Sequence, residues 1–439
     1  MKRQVVGSLG LWVSLAFMSG SAGADPVLTW NENAAKAATA ACLHMSGNGL
    51  VEARMYAMVH AAVHDALNAI DRRARPYTFD VAASATASVD AAVAAAARDV
   101  LASVIVTLPE SPACQANGVA QANALYTAAL AAIPDGADKA DGLAVGQAAA
   151  AAIIARRAGD GSAQNMFDFD FPEGTEPGEW RFTPDAPLAF GPQWGTVTPF
   201  VLHRSSQFRS PPPYSLPSAK YAADYNEVKR LGGDGIGTSH ERTPDQTEIG
   251  QFWLESSPLA WNRLAREVSA ARGLDAWENA RLFALLNLAM ADGYVASWEA
   301  KYHYRFWRPI TAIRLGDTDG NQRTQGDGDW TPLQFTYPMP DHDSGHAVQG
   351  GVAAEIMKLV FNTDDIAFTA CSTSLPPGSN CGDATPVLRL YSSFSHAAHE
   401  NAVSRIYIGI HFRKAVEDGV RHGQRIAAYA VHRYLKPVR

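Results

Sequence analysis

The chain has 439 residues, of which 47% are apolar and 18% charged, with ten Trp and a formal charge of −7. This is the composition of a folded protein with material for a large core, and it argues against disorder. No cluster of Lys and Arg breaks the acidic balance, so a nucleic-acid surface, which needs such clusters, is excluded.

Residues 1–24 read as a targeting segment. Lys2 and Arg3 open it, Val5 to Met18 form the apolar stretch, and Ala22-Gly23-Ala24 supplies a small-residue cleavage site. The apolar run is short and broken by Ser and Gly, unlike a membrane span, and no later stretch is long and apolar enough to be one. The expectation is an exported protein, periplasmic or secreted, in a compartment where disulfides persist. Cys371 and Cys381 flank the turn-rich loop Ser372 to Asn380. A bridge there would be worth roughly 2–3 kcal/mol in the chain-entropy model. Cys42 with Cys114 is the pairing that remains, and free buried thiols are the alternative for both pairs.

From Leu28 to about Gly159 the pattern is helical. Met55, Met58, Val59, Ala62, Val63 and Ala66 recur at three- and four-residue spacing, and Ala-rich stretches follow at Ala91–Ile105, Ala120–Ile133 and Ala140–Ala158. His60 and His64 lie four apart on one helical face, a zinc-like spacing. They lack the glutamate of the zinc-protease pattern and sit in an apolar stripe, so they read as a buried core pair. Gly159 to Ser218 is dense in Pro, Gly and aromatics from Phe167 to Phe200. That composition suits an ordered excursion over the helices, not a linker. It forms either a lid or wall of a site, or structural wrapping away from one.

Helices resume over 219–230, 243–254 and 259–272. A long helix then starts at Asp275, with Glu278 completing a capping box, and runs toward Trp307. Asp292 and Glu299 lie in its apolar stretch and need partners. They either orient the cations of a site or, on the plainer reading, form structural ion pairs elsewhere. Arg308 precedes a proline, which disfavours helix, so Lys301 and Arg308 belong to different elements. In the acidic loop Gly316 to Asp343, Asp317, Asp319 and Asn321 begin like a calcium loop, but Gly320 and Gln322 are out of register for one. Ser344-Gly345-His346 opens an apolar helix over 347–360, where free N–H groups and the dipole favour an anion. A further helix is expected from about Pro386 to Ile410, with Ser404 and His411 on one face. The last runs over 416–435 and is stopped by Pro437.

Three clusters therefore stand out: Lys301-x6-Arg308-Pro309, Ser344-Gly345-His346, and Ser404-Arg405-x5-His411. Arg forks and a Lys point charge suit a tetrahedral oxyanion. One histidine can bond to its central atom while the other manages protons. In this order and spacing the clusters resemble the triple motif of the vanadium haloperoxidases and type 2 phosphatidic acid phosphatases. The likeness runs from about Met55 to the C-terminus and is firmest from Asp275 to Gly419. It is closer to the bacterial haloperoxidase-like branch than to membrane-embedded phosphatases.

The resemblance implies an all-α fold of packed helical bundles with long ordered loops. It implies one mainly helical domain over 25–439, with the catalytic part at about 275–439. It implies vanadate as cofactor, with His411 bonded to vanadium and the oxygens held by Lys301, Arg308, Ser344, Gly345 and Arg405. His346 is then the acid–base, and Lys301 also polarises peroxide. The implied activity is oxidation of halide by hydrogen peroxide to hypohalous acid, which acts on an organic acceptor. The alternative is an exported acid phosphatase, with a phosphate ester in the same pocket and His411 as nucleophile. An exported oxyanion-binding protein is a third reading, disfavoured by the two histidines.

Two positions depart from the pattern. Asp343 stands where the family commonly has proline, adding negative charge beside the anion. Ala415 stands where the phosphatases carry the aspartate that orients the nucleophile, which lowers that reading. Met339, five before Ser344, occupies the position associated with halide choice and leaves that choice open, as is the oligomeric state.

Overall fold

The computed structural model describes residues 25–46 and 48–438, so the targeting segment read over 1–24 lies outside the described residues. Periodic Ala, Leu and Val organise most of the chain into helices. The N-terminal set is α1 (Pro26–Ala40), α2 (Leu43–Ser46), α3 (Gly49–Ile70), α4 (Val89–Ile105), α5 (Pro112–Ala131) and α6 (Ala137–Arg157). The C-terminal set is α7 (Ala219–Leu231), α8 (Pro244–Phe252), α9 (Ser257–Arg272), α10 (Ala276–Tyr304), α11 (Pro309–Arg314), α12 (Gly345–Phe361), α13 (Phe394–Tyr407) and α14 (Arg413–Arg433). Side-chain oxygens of Asn48, Ser88, Ser111, Ser218 and Thr243 cap first-turn amides, as the sequence around each start dictates. The capping box at Asp275 and Glu278 is present.

The fold is all-α. The described strands make two short antiparallel pairs, β1 (Phe167–Asp168) with β2 (Ala189–Phe190) and β3 (Phe368–Ala370) with β4 (Arg389–Tyr391). Both disulfides form, Cys42–Cys114 and Cys371–Cys381, the second closing the loop that leaves β3.

Helix α10 is the axis of the molecule. It is mostly apolar from Leu282 to Ala296, with Asn287 and Asp292 as polar exceptions, and buried throughout that stretch, packing on α3 from one bundle and on α12 and α14 from the other. One apolar cluster consequently runs from Val27 to Leu435. Helices α12 and α14 meet backbone to backbone. A Cβ on Gly423 would sit 2.1 Å from the Val348 carbonyl oxygen, and one on Gly351 would sit 2.3 Å from that of Val420. Only glycine permits this approach, which presses the start of α12 against α14.

Several expectations are corrected. Residues 386–393 are not helical. They hold β4 and the Ser393 cap of α13, because the disulfide-closed hairpin takes this segment into a strand. Helix α13 stops at Tyr407, Gly409 turns the chain at φ +82°, and His411 lies in the tight turn before α14 instead of on a helical face with Ser404. Helix α14 starts at Arg413 and ends at Arg433. The chain then turns extended at Tyr434 and left-handed at Leu435, ahead of Pro437.

His60 and His64 are core residues. His60 accepts from Asn31 Nδ2 at 2.7 Å, and burial pushes its pKa down to about 3. His64 pairs with Asp65. Asp317, Asp319 and Asn321 hold their own loop, with Asp319 accepting from the Asn321 amide and the Thr324 hydroxyl.

The excursion over 159–218 is fastened along α10. Glu299 makes the expected ion pair, with Arg209. Asp292 does not. Its carboxylate accepts the backbone N–H groups of Phe200, Val201 and Leu202 at 2.6–2.8 Å, because these three residues lie outside any strand and take their acceptor from the helix. Burial pushes the Asp292 carboxyl up to about 6 against those three donors. Asp292→Asn replaces an acceptor oxygen with an NH2 group and should destabilise the fold by about 1–3 kcal/mol. Urea denaturation measures the loss, and amide exchange at 200–202 should accelerate with it.

Candidate active site

Each site residue is set by a different element. Lys301 lies in the last turn of α10, which stops because Arg305 takes a left-handed conformation at φ 48°. Arg308 is the N-cap of α11, so the two cations approach from separate elements, as their spacing around Pro309 predicts. Ser344 is the N-cap of α12, and Gly345 and His346 are the first helical residues. Arg405 projects from α13, and His411 from the turn between α13 and α14.

Lys301, Arg308, Gly345, His346, Arg405 and His411 all line one cavity of about 650 Å³. Ser344 adjoins them. A larger open cleft of about 1050 Å³ beside α7 contains none of them.

The cavity floor holds three buried cations. Lys301 Nζ donates to the carbonyls of Pro340 and Asp341 at 2.9 and 3.1 Å, which leaves one N–H free. Arg308 donates from Nε to the Met339 carbonyl at 2.6 Å and from Nη1 to the Ile410 carbonyl at 2.8 Å. Arg405 donates from Nη1 to the Trp253 carbonyl at 3.1 Å, while its buried Nε has no partner. Burial, with Arg308 adding repulsion, pulls the Lys301 pKa well below its ordinary value, and burial brings Arg308 and Arg405 down to about 10.

Two further buried polar atoms are orphaned in the same place, Ser344 Oγ and His346 Nε2. A serine N-cap ordinarily turns its oxygen back onto the helix amides; Ser344 does not, so its hydroxyl and the first amides of α12 stay available. The His346 ring is held from its other side by the Glu255 backbone, and burial followed by Arg405 keeps it neutral well below the usual pKa. The unpartnered donors Ser344 Oγ and Arg405 Nε among crowded cations fit a tetrahedral oxyanion such as vanadate or phosphate.

The decisive contact is one the sequence reading missed. Asp341 Oδ1 lies 2.8 Å from His411 Nδ1, and Arg308 Nη1 donates to His411 Nε2 at 3.0 Å. Nδ1 therefore carries the ring proton and Nε2 presents a lone pair. Burial, then Arg308 and Lys301, keeps the His411 pKa well below its ordinary value. Burial pushes the Asp341 carboxyl up to about 7 against the pull of Arg308 and Lys301. A carboxylate does orient the motif histidine, but it comes from the segment before Ser344 and not from α14. Ala415 instead accepts the Ser344 N–H through its carbonyl at 3.0 Å. The available signal was the carboxylate in Pro340-Asp341-His342, three residues before the motif serine.

Asp343 is no threat to the anion. It accepts from Ser297 Oγ and His422 Nδ1, both at 2.8 Å, and from Ser210. Although burial works to raise it, His422 and these partners hold its carboxyl far below the usual range, with its charge absorbed behind the site.

Residues 281–439, which include Lys301, Arg308, Asp341, Ser344, Gly345, His346, Arg405 and His411, match the family model of the VCPO second helical-bundle domain. Over that C-terminal stretch the chain is similar to the second helical bundle of that family. The vanadium chloroperoxidase of Curvularia inaequalis is 26% identical over 279 residues, covering 51% of this chain and 45% of that protein, so less than half of that relative's length is matched. The crystal structure of a bacterial vanadium-dependent iodoperoxidase shares the fold at TM-score 0.75 and 23% identity, over 94% of this chain and 97% of that one. A holo bacterial vanadium-dependent chloroperoxidase shares it at TM-score 0.67 and 17% identity, over 88% and 91%.

Orthovanadate and phosphate should both raise the melting temperature, since a ligand of the folded state alone stabilises it by mass action. Arg405→Ala should weaken that binding by about 1.5–3 kcal/mol per charge-assisted hydrogen bond lost. Thermal shift across a vanadate titration reads both.

Proposed function

We propose that the protein is an exported, vanadate-dependent haloperoxidase that oxidises halide with hydrogen peroxide to hypohalous acid. The observation that carries this reading is the Nε2 lone pair of His411, aimed by Asp341, met by Arg308 and set among three buried cations. The relatives that share the fold are named for vanadium-dependent halide oxidation. Two disulfides support an oxidising compartment. No described helix is long and apolar enough to cross a membrane. We read residues 25–439 as one domain on the strength of the large apolar cluster that joins its two ends.

His411 Nε2 would bond the vanadium, and Lys301, Arg308, Ser344, Gly345 and Arg405 would hold its oxygens. Bound vanadate supplies a Lewis acid that activates peroxide without changing oxidation state. The protein's own residues do the rest. The free N–H of Lys301 draws electron density from the peroxide. His346 Nε2 takes up the peroxide proton and returns it to the departing oxygen. The backbone grip on the far side of the His346 ring keeps that atom aimed into the cavity. Asp341 stabilises the ring proton on Nδ1 of His411, which keeps Nε2 as the donor atom.

One observation favours the second reading, an acid phosphatase. The missing aspartate at Ala415 counted against it, and Asp341 restores a carboxylate to the same ring nitrogen. In that reaction His411 Nε2 attacks phosphorus, and His346 protonates the leaving alcohol.

Purified protein assayed with bromide and peroxide, with and without orthovanadate, and separately with phosphate esters, distinguishes the two. The expected result is vanadate-dependent bromination and weak ester hydrolysis; hydrolysis inhibited by vanadate with no halide oxidation reverses the order. His411→Ala should lose both vanadate binding and turnover, whereas His346→Ala should keep much of the binding and lose turnover. Asp341→Asn should lower vanadate affinity or turnover roughly 10–100-fold, as loss of a ligand's orienting partner does.

A further inference from the structure

Helices α8 and α9 are joined by Trp253, Leu254, Glu255 and Ser256, a short irregular link that delivers two backbone contacts to the site. The Trp253 carbonyl accepts from Arg405 Nη1 at 3.1 Å. The Glu255 backbone meets the His346 ring and favours its protonated form, so there the carbonyl accepts and the ring donates. With Nε2 orphaned, the donating atom is Nδ1. That bond selects the tautomer whose Nε2 carries the lone pair.

The link is held from behind. Leu254, Ser256 and Ser257 line the cavity, whereas Glu255 and the groups that grip it are not among its walls. Arg263 Nη1 donates to Glu255 Oε1 at 2.7 Å, and its Nη2 donates both to Glu255 Oε2 and to the Cys371 carbonyl. Thr373 adds its amide, 3.3 Å from Glu255 Oε1, and its hydroxyl. On either side of Thr373, Ser372 Oγ donates to the Phe252 carbonyl and Ser374 Oγ to that of Gln251, each at 2.7 Å. Both carbonyls lie in the last turn of α8, where the helix runs out of its own donors. Ser372, Thr373 and Ser374 stand at the head of the loop closed by Cys371–Cys381, and the Cys381 amide donates back to the Ser372 carbonyl at 2.9 Å. Ser256 turns away from capping α9 and donates to the buried Glu52. Although burial works to lower it, Glu255 holds the Arg263 guanidinium above its ordinary pKa.

We propose that Glu255 is a positioning residue, and that the disulfide-closed loop 371–381 clamps its side chain to hold the His346 ring in working orientation. The proposal rests on the reading of His346 as the acid–base group and names what keeps it aimed. A carbonyl fixes a ring only when the carbonyl is itself fixed. An irregular link has no ladder to do this, but a buried carboxylate gripped by a guanidinium fork and a hydroxyl does. Trp253 and Glu255 ride on the same link, so the clamp sets Arg405 and the proton-handling ring together. A displacement of about 1 Å at such a site costs on the order of a hundredfold in rate. Partial loosening is therefore readable as a fall in turnover.

The test compares the wild type with Glu255→Gln, Thr373→Val and the double variant Cys371→Ser/Cys381→Ser. Vanadate-free protein carrying isotope-labelled histidine is read by NMR at fixed pH. The Nδ1–H signal of His346 is assigned by its loss in His346→Ala, and its exchange with solvent is timed. The expected result is a protected Nδ1–H in the wild type that exchanges roughly tenfold faster in Glu255→Gln and in the double variant. Bromide turnover at saturating vanadate should fall by about the same factor, with the loss in kcat. Thr373→Val removes one hydroxyl from an exposed loop position and should move both readouts the same way by less. It keeps the test intact if the other variants fold poorly. Variants that melt lower yet keep the wild-type exchange rate and kcat overturn the proposal and leave the haloperoxidase reading in place. Faster exchange in the variants, with bromide oxidised by no sample, keeps the positioning of the ring and overturns the haloperoxidase reading.

Discussion

Three cations buried around one cavity impose the constraint on which the rest of this structure depends. Lys301, Arg308 and Arg405 are each at most 1% exposed, and removal from water depresses the affinity of all three for their protons. Uncompensated, such a group is expensive to fold. The protein meets part of the demand with backbone carbonyls, from Met339, Pro340 and Asp341 before α12, from Ile410 before α14 and from Trp253 after α8. Those loops are conscripted as acceptors, but neutral carbonyls supply no countercharge.

Helix α10 makes this arrangement possible because it serves both bundles at once. Its N-terminal half is core, its C-terminal turn delivers Lys301, and its carboxylates Asp292 and Glu299 anchor the excursion that walls the cavity. The excursion returns the favour at Phe190, whose N–H donates to the Pro338 carbonyl and whose carbonyl accepts from the Tyr302 hydroxyl, each at 2.7 Å. The aromatic wall and the segment carrying Asp341 are thereby held to the same helix.

The pairing of Asp341 with His411 also alters the balance between the two reactions an oxyanion pocket supports. The motif position four beyond the histidine is silent here, yet the ring is oriented all the same. A carboxylate on Nδ1 makes Nε2 more basic whether it is to bond vanadium or attack phosphorus. The ring's environment therefore does not separate the two.

The sequence alone determined the helices, because three- and four-residue periodicity and local caps are short-range properties. It determined the three clusters, because each element contributes its residues at fixed local spacing: Lys301 near a helix end, Arg308 before a proline, Ser344 at a helix start. Tertiary structure alone decided what those residues meet. Asp341 reaches His411 across 70 positions, and Asp292 reaches the 200–202 amides across about 90. Neither contact has a period or a cap to announce it. The same holds at Pro386–His411, where apolar residues gave a helical pattern that the disulfide-closed hairpin and the turn at Gly409 overrode. Local preference is worth tenths of a kcal/mol per residue, whereas a bridge or a buried charge contact is worth roughly one to several, so the long-range interaction prevails wherever they conflict.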